Sequence, residues 1–294
     1  MVSEQIGQIR SFNRTVTRRI GVLEDSYLQR GRPLGEARLL FEVGTKGADV
    51  QHLRDRLGLD SGYLSRLLRS LEGQGLLRVE PQADDRRKRH ARLTAKGRAE
   101  FSAYDRLSDK LADSILGALD AKQRERLTGA MVDVERLLRA ASVTMSIEAP
   151  NGEDARWCLG EYFRELSQRF ETGYDPVRAN QVPDKDMTRP AGCFLIARLD
   201  GEPVGCAGLK RIDHMTAEIK RMWTAPGARG LGIARRMLRK LEDIAREDGF
   251  STVRLDTNGA LTEAQALYRA EGFQDVEPFN DDPYPDHWFA KNLA

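Results

Sequence analysis

Residues Thr224–Leu238 read TAPGARGLGIARRML. Gly227, Gly230 and Gly232 fall within six residues, and arginines follow at once. A glycine-rich loop running into a helix is either a phosphate cradle or a softened turn. Which of the two it is decides the fold of the C-terminal half. A Walker loop closes on Gly-Lys-Ser/Thr, whereas this one closes on Gly232-Ile233-Ala234-Arg235-Arg236. A dinucleotide fingerprint needs a third glycine, which Gly230-Leu231-Gly232-Ile233-Ala234-Arg235 lacks. It also needs a strand buried on both faces, and the preceding stretch carries Glu218, Lys220 and Arg221, too polar for that place. A third use survives. The first N–H groups of a helix have no internal partner, small residues let a pyrophosphate come close, and the helix dipole favours its charge. Arg229, Arg235 and Arg236 add side-chain donors.

The surroundings extend the pattern. The segment CFLIARLDGEPVGCAGLKRI places two apolar runs around Asp200-Gly201-Glu202, a hairpin signal. In TAEIKRMWTAP, strict alternation sets Glu218, Lys220, Met222 and Thr224 on one face and Ile219, Arg221 and Trp223 on the other. Ile233, Met237, Leu241 and Ile244 mark a helix after the loop, STVRLDTN a strand, TEAQALYRAEGF a helix closed by Gly272, and DHWFAKNL a last strand. Residues 146–294 thus resemble the GNAT superfamily of acetyltransferases. The resemblance rests on Arg221-Met222-Trp223-Thr224, then Arg229-Gly230-Leu231-Gly232-Ile233-Ala234, then Leu255-Asp256-Thr257-Asn258, then Ala264–Tyr268 and Gly272-Phe273. The family usually has Gln or Arg where this chain has Gly227.

The resemblance implies an α+β mixed-sheet N-acyltransferase fold and direct transfer from acetyl-CoA to an amine. The cofactor-binding set would be Met222, Trp223, Thr224, Arg229, Gly230, Leu231, Gly232, Ile233, Ala234, Arg235 and Asn258. Backbone groups of Met222 and Thr224 would hold the pantetheine arm and polarise the thioester carbonyl, with Asn258 as a further partner. Tyr268 would protonate the departing thiolate. Glu218, in phase with Met222 and Thr224, is the candidate base; the alternative is a strand glutamate paired with Lys220 or Arg211. The stretches RFETGYDP (169–176) and FNDDPYPDHWF (279–289) carry acids and aromatics suited to an amine or amino-acid-like acceptor.

The N-terminal half follows another logic. Leu39, Leu40 and Phe41 lie in a helix stopped by Gly44; Val50, Leu53 and Leu57 lie in a second, stopped by Gly58. In DSGYLSRLLRSLEGQGLL, Asp60 or Ser61 can cap a third, whose Leu64, Leu67, Leu68 and Leu71 form one stripe. Its other face shows Ser61, Tyr63, Ser65, Arg66 and Arg69, side chains suited to phosphates and base edges. Strands at Leu76–Glu80 and His90–Thr94 flank a tip holding Asp85, Arg86, Arg87, Lys88 and Arg89, which can reach along the DNA backbone or into the minor groove. Residues 34–98 resemble a MarR-type transcriptional regulator, through Asp85-Arg86-Arg87 followed by Leu93-Thr94-Ala95-Lys96-Gly97. The resemblance implies a homodimer on pseudo-palindromic double-stranded DNA, joined through its first and last two helices. SFNRTVTRRIGVLEDSYL is helix-like; Phe101, Tyr104, Leu107 and Leu111 mark one later helix, and Leu127, Met131, Val134 and Leu138 another.

Composition agrees with two parts. The 294 residues suit two domains, expected at 1–141 (mainly α winged helix-turn-helix, DNA-binding and dimerising) and 146–294 (acetyltransferase). Residues 1–145 hold 27 Lys/Arg against 20 Asp/Glu, a net of +7; the remainder holds 20 against 25, a net of −5. A basic half suits an anionic polymer and an acidic half a cationic small molecule. No run of 18 apolar residues exists, and no secretory leader, so a cytoplasmic protein off the membrane is expected. Cys158, Cys193 and Cys206 are widely spaced and odd in number, free thiols rather than disulfides or a metal knuckle, so no metal is expected. The expected function is a DNA-binding regulator that is also an acetyl-CoA-dependent N-acetyltransferase. Two alternatives stay open: a regulator whose second half only senses acetyl-CoA or a small ligand, and a protein-lysine acetyltransferase.

Overall fold

The computed structural model describes residues 2–21, 26–81, 88–171, 173–179 and 182–293. The chain divides into two compact units, Met1–Met131 and Val132–Ala294.

The first unit opens with α1 (Val2–Arg19), which lies nine residues earlier than the helix-like stretch expected from Ser11. Then come α2 (Leu34–Val43), a two-residue strand β1 (Ala48–Asp49), α3 (Val50–Leu57) and α4 (Ser61–Gly73). The hairpin of β2 (Leu77–Pro81) and β3 (Arg89–Leu93) follows, each strand shifted by one residue at both ends from its expected place. These strands form a sheet in the order β1-β3-β2. β1 has no pattern in the sequence because it is two residues long; its partners Ala91 and His90 define it. Helix α5 (Ala95–Gly117) and helix α6 (Ala121–Ser142) follow, and α6 runs across the division between the units.

Local chemistry explains these boundaries. Asp49 accepts from the His52 N–H and starts α3; Asp60 accepts from the Tyr63 N–H at 2.9 Å and starts α4. Gly58 ends α3 in the left-handed region, φ 61°. The leucine stripe of α4 is buried with Leu39, Leu40, Leu53 and Leu76 in one core. The Leu-Thr-Ala-Lys-Gly run has a structural cause. Thr94 caps α5 at the Gly97 N–H and donates to the Gly75 carbonyl, while Lys96 donates to the Gln74 carbonyl. A Cβ on Gly97 would stand 1.8 Å from the Leu76 carbonyl oxygen, so only glycine lets helix and strand approach this closely.

The second unit is a seven-stranded sheet in the order β4-β5-β6-β7-β8-β10-β9. Its elements run β4 (Thr144–Glu148), α7 (Glu153–Arg169), β5 (Gly192–Leu199), β6 (Glu202–Arg211), β7 (Thr216–Thr224), α8 (Ile233–Glu247), β8 (Thr252–Thr257), α9 (Thr262–Ala270), β9 (Gln274–Asp275) and β10 (His287–Asn292). The expected β5–β6 hairpin is present, with Asp200 and Gly201 at positive φ in its turn. Helix α7 and the strands β4 and β9 have no counterpart in the sequence-based expectations. α8 packs its Ile233, Met237, Leu238 and Leu241 on one sheet face with Leu209 and Ile219. α7 packs Ala155 and Cys158 on the other face with Phe194, Ile196 and Trp223. Both faces of β7 are therefore covered, despite its charges; Glu218 and Lys220 are paired with each other and with charged side chains of neighbouring strands, as described below. No described helix is long and apolar enough to cross a membrane.

Candidate functional site

Two features of β7 make a cleft. The first is its divergence from β8. These strands pair in parallel at Thr216–Thr252, Ala217–Val253 and Glu218–Arg254, and no further. Beyond that point β8 keeps only β10, with which it pairs along its whole length, and β7 keeps only β6. A wedge opens between Ile219–Thr224 and Leu255–Thr257, and backbone groups on its rims have no ladder partner across it. The second feature is a bulge. Trp223 lies opposite Cys206 and Lys220 opposite Gly208, so three residue steps on β7 span two on β6. Arg221, at the extra position, has φ 57°.

The bulge corrects the alternation expected for this strand. Glu218 and Lys220 share a face with Trp223, and the phase linking Glu218 to Met222 and Thr224 is lost. Glu218 is 2% exposed and lines neither of the cavities described below. It pairs with Lys220 (2.9 Å), Arg254 (2.8 Å) and Lys210 (3.8 Å), and Lys220 also pairs with Asp256 (2.6 Å). Burial raises the Glu218 carboxyl, but Lys220, Lys210 and Arg254 outweigh it and hold the group below its ordinary range. The structure therefore places Glu218 as the centre of a buried charge network, away from the position a general base needs.

Two cavities meet in the wedge. One, about 510 Å³, is lined by Met222, Trp223, Thr224, Arg229, Gly230, Gly232, Ile233, Ala234 and Arg235. Ten of the eleven residues expected to bind cofactor are thus gathered here or beside it. Leu231 is the one beside it: its side chain is buried in the core under α8, leaving only its backbone for the cavity. Asn258 is the exception. It lines the other cavity, and its amide is already engaged, donating to the Tyr284 carbonyl (2.6 Å) and accepting from the Ala260 N–H (2.9 Å).

The floor of the larger cavity is the start of α8. Gly230 and Gly232 adopt φ 80° and 73°, which favour glycine. No side chain caps this helix, and its first intrahelical bond is from the Arg236 N–H to the Gly232 carbonyl. The N–H groups of Ile233, Ala234 and Arg235 precede that bond and are left for an anion. Buried Thr224 Oγ1, with no partner among the described residues, is a second unmet polar atom on the same cavity. A pyrophosphate and its amide-bearing arm fit these groups.

The arginines are less available than their number suggests. Arg229 donates to both oxygens of Glu165 and to the Thr224 carbonyl. Arg235 pairs with Glu271. Arg236 donates to the Ala140 and Val143 carbonyls and anchors the end of α6. Glu165 itself is a hub that reading the sequence missed. It also accepts from Trp223 Nε1 (2.8 Å) and Arg169, which lines the same cavity. The only local signal was the Glu165/Arg169 spacing on a helix that had not been anticipated.

The other cavity, about 230 Å³, lies on the far side of the wedge. Its wall joins the two loops flagged as acceptor candidates: the Tyr174 and Tyr284 rings are 4.8 Å apart, and Phe170 lies 5.9 Å from Tyr284. Burial and Asp282 push the Tyr174 phenol up to about 12. Tyr268, Tyr162 and Met222 line both cavities, so they stand at the junction. Tyr268 is 5% exposed, and burial, with Asp256 adding to it, holds its phenol well above its ordinary value and therefore protonated. His287, flagged with the second loop, lies with its ring tilted against that of Phe289 on β10 and lines neither cavity. Among the described residues no cluster of potential metal ligands occurs, and the three cysteines are free and buried.

In the first unit, Ser61, Tyr63, Ser65, Arg66 and Arg69 are all exposed on α4. Arg66 lies over the Tyr63 ring at 5.6 Å, and Arg69 donates to the Ser65 carbonyl, which leaves most of its fork outward. Lys88 and Arg89 are exposed at the start of the returning strand. Asp85, Arg86 and Arg87 lie outside the described residues.

Comparison with known proteins matches the Acetyltransferase (GNAT) family to residues 160–273 and the MarR family to residues 30–88. An IAA acetyltransferase of Azospirillum brasilense is 35% identical over 148 residues, covering 49% of this chain and 92% of that protein. An N-alpha-acetyltransferase RimI of Mycobacterium tuberculosis is 32% identical over 143 residues, covering 47% and 84%. A GNAT-family acetyltransferase structure from Staphylococcus aureus aligns at a TM-score of 0.45 with 21% identity, covering 52% of this chain and 99% of that one.

Proposed function

We propose that this chain, which belongs to the GNAT acetyltransferase family and carries a MarR-family segment ahead of that domain, acetylates a small amine from acetyl-CoA and binds double-stranded DNA as a homodimer. The observation that carries the first part is the junction: an anion-ready helix start opens one cavity, an aromatic wall closes the other, and Tyr268 lines both. Relatives whose names describe N-acetylation support nitrogen as the acceptor atom. The small acceptor cavity supports a small molecule over a protein lysine.

Bound acetyl-CoA supplies an acetyl thioester whose C–S bond breaks as the amine nitrogen bonds to the carbonyl carbon, the sulfur leaving with the electron pair. The start of α8 and Thr224 would hold the phosphates and arm. An unpaired N–H on the β7 rim at Met222 or Thr224 would stabilise charge growing on the carbonyl oxygen. Tyr268 would give its proton to the sulfur and regain one from solvent. Its raised pKa does not disqualify it, because the same burial disfavours the thiolate. Asp282, a lining residue whose carboxylate accepts from the Tyr284 N–H, would take the amine proton directly or through water.

Thiol release from acetyl-CoA across an amine panel tests this. Tyr268→Phe should lower kcat about a thousandfold with acetyl-CoA affinity unchanged. Tight acetyl-CoA binding with no turnover on any amine would replace catalysis by ligand sensing.

The DNA half is supported by the exposed polar face of α4 and the basic strand start at Lys88 and Arg89. Dimerisation is supported by the apolar side chains left open on α1 (Ile6, Ile9, Phe12) and on α6 (Met131, Val134, Leu138). Salt-dependent binding to upstream DNA by a dimer is the expected result; a monomeric complex, or binding indifferent to salt, would remove this half of the proposal. DNA affinity at fixed salt, with and without acetyl-CoA, would show whether the halves communicate.

A further inference from the structure

Arg221 is held in the left-handed region at φ 57°, a backbone state that is strained for a non-glycine residue. The bulge that forces this state puts the side chain on the wall of the acceptor cavity. There its Nη2 donates to the Val182 carbonyl at 3.0 Å, and its guanidinium lies 5.7 Å from the Phe163 ring centre. Among the described residues no carboxylate pairs with it. The neighbouring cation of the cavity, Lys220, is by contrast doubly paired, to Asp256 and Glu218. A guanidinium keeps its charge at every physiological pH and offers a planar fork matched to a carboxylate. One of its donors is used by Val182, and the ring beneath it restrains its plane. Six aromatic residues share the wall, Tyr162, Phe163, Phe170, Tyr174, Tyr268 and Tyr284, together with the carboxylates of Asp256 and Asp282.

We propose that the acceptor is an amino carboxylic acid: an amine whose own skeleton carries a carboxylate bound by Arg221, with an apolar or aromatic group against the Tyr174–Tyr284 wall. This deepens the acetyl-transfer proposal and rests on it. A cavity of about 230 Å³ is of a size for a free amino acid. An unmatched fixed cation in a partly enclosed site discriminates strongly, since an acceptor lacking the anion leaves the guanidinium desolvated and unpaired.

The test uses the full chain and three matched acceptors: phenylalanine, phenylalaninamide and phenethylamine. Phenylalanine should have the highest kcat/KM, by thirtyfold or more over the other two. Arg221→Gln should erase that ratio while leaving acetyl-CoA affinity unchanged, and Arg221→Lys should restore part of it. Equal use of the three by the wild-type protein would overturn the proposal without touching acetyl transfer itself. A binding arm is independent of turnover: 3-phenylpropionate, which has the carboxylate and no amine, is titrated calorimetrically into the acetyl-CoA-loaded protein. Binding that weakens at least tenfold in Arg221→Gln supports the carboxylate site even if no amine is acetylated, in which case only the transfer step falls. Failure of phenylpropionate to bind, together with no preference for phenylalanine, sinks the inference.

Discussion

Helices α4 and α8 begin in opposite ways. At α4, Asp60 supplies a side-chain acceptor at 2.9 Å to the Tyr63 N–H. The start is closed, and what the helix offers is its exposed side chains. At α8, Gly232 supplies no side chain, and the first-turn N–H groups stay open. What that helix offers is its backbone. The difference teaches how to tell a helix that presents residues from one that binds an anion: the first spends its N-terminal donors internally, the second keeps them.

The largest expected effect comes from making the second start like the first. Gly232→Asp would place a carboxylate at the cap, in a left-handed conformation that Asp tolerates better than most residues. It would satisfy a donor and repel phosphate at once. Acetyl-CoA affinity, measured calorimetrically, should fall about a thousandfold, with folding stability within roughly 1 kcal/mol of wild type. Unchanged affinity would show that the helix start is not the phosphate site.

The next effect concerns a buried carboxylate that lines neither cavity. In the folded chain the Glu218 carboxyl lies below its ordinary value, because three cations outweigh burial. Its pairing therefore stabilises the fold above the unfolded carboxylate pKa of about 4.3 and is lost as pH falls through the lower folded value. Glu218→Gln should cost about 3 kcal/mol at neutral pH, since it strands buried cations. The acid limb of the stability curve of the C-terminal unit should flatten below about pH 4. Denaturant unfolding from pH 2 to 8 reads both. If the variant instead keeps its stability and shifts the pH–rate profile of acetyl transfer, Glu218 is the base after all.

A smaller effect tests the side-chain face of α4. Arg66→Ala should weaken DNA binding about tenfold; a salt slope lower by about one would assign Arg66 to phosphate, and an unchanged slope with relaxed sequence preference would assign it to a base. Smallest of all, Asp60→Ala should lower stability by about 1 kcal/mol in thermal unfolding, the ordinary worth of a cap. A loss several times larger would mean that Asp60 does more than close the helix.

Legibility followed the same divide. The stripe Leu64, Leu67, Leu68 and Leu71 and the glycines of the α8 loop were readable because each is a local pattern with a local cause. Glu218 was misplaced because alternation was carried through Arg221, where one extra residue reverses the faces; a bulge is defined by pairing with β6, and a single strand does not show it. Asn258 was drawn to the cofactor by its motif, yet its amide secures Tyr284 in a loop twenty-six residues on. Glu165 escaped notice because its three partners come from β7, the α8 loop and its own helix.

The sequence by itself determined the two families, the capped and the open helix starts, the buried stripes and the loops bearing aromatics. All of these depend on neighbours within a turn or a few residues. Tertiary structure decided which charges cancel, which cavity each residue lines, and that Arg221 has no carboxylate partner among the described residues. Those outcomes depend on where β7 parts from β8 and how β7 steps past β6, and such long-range register is written in no single segment.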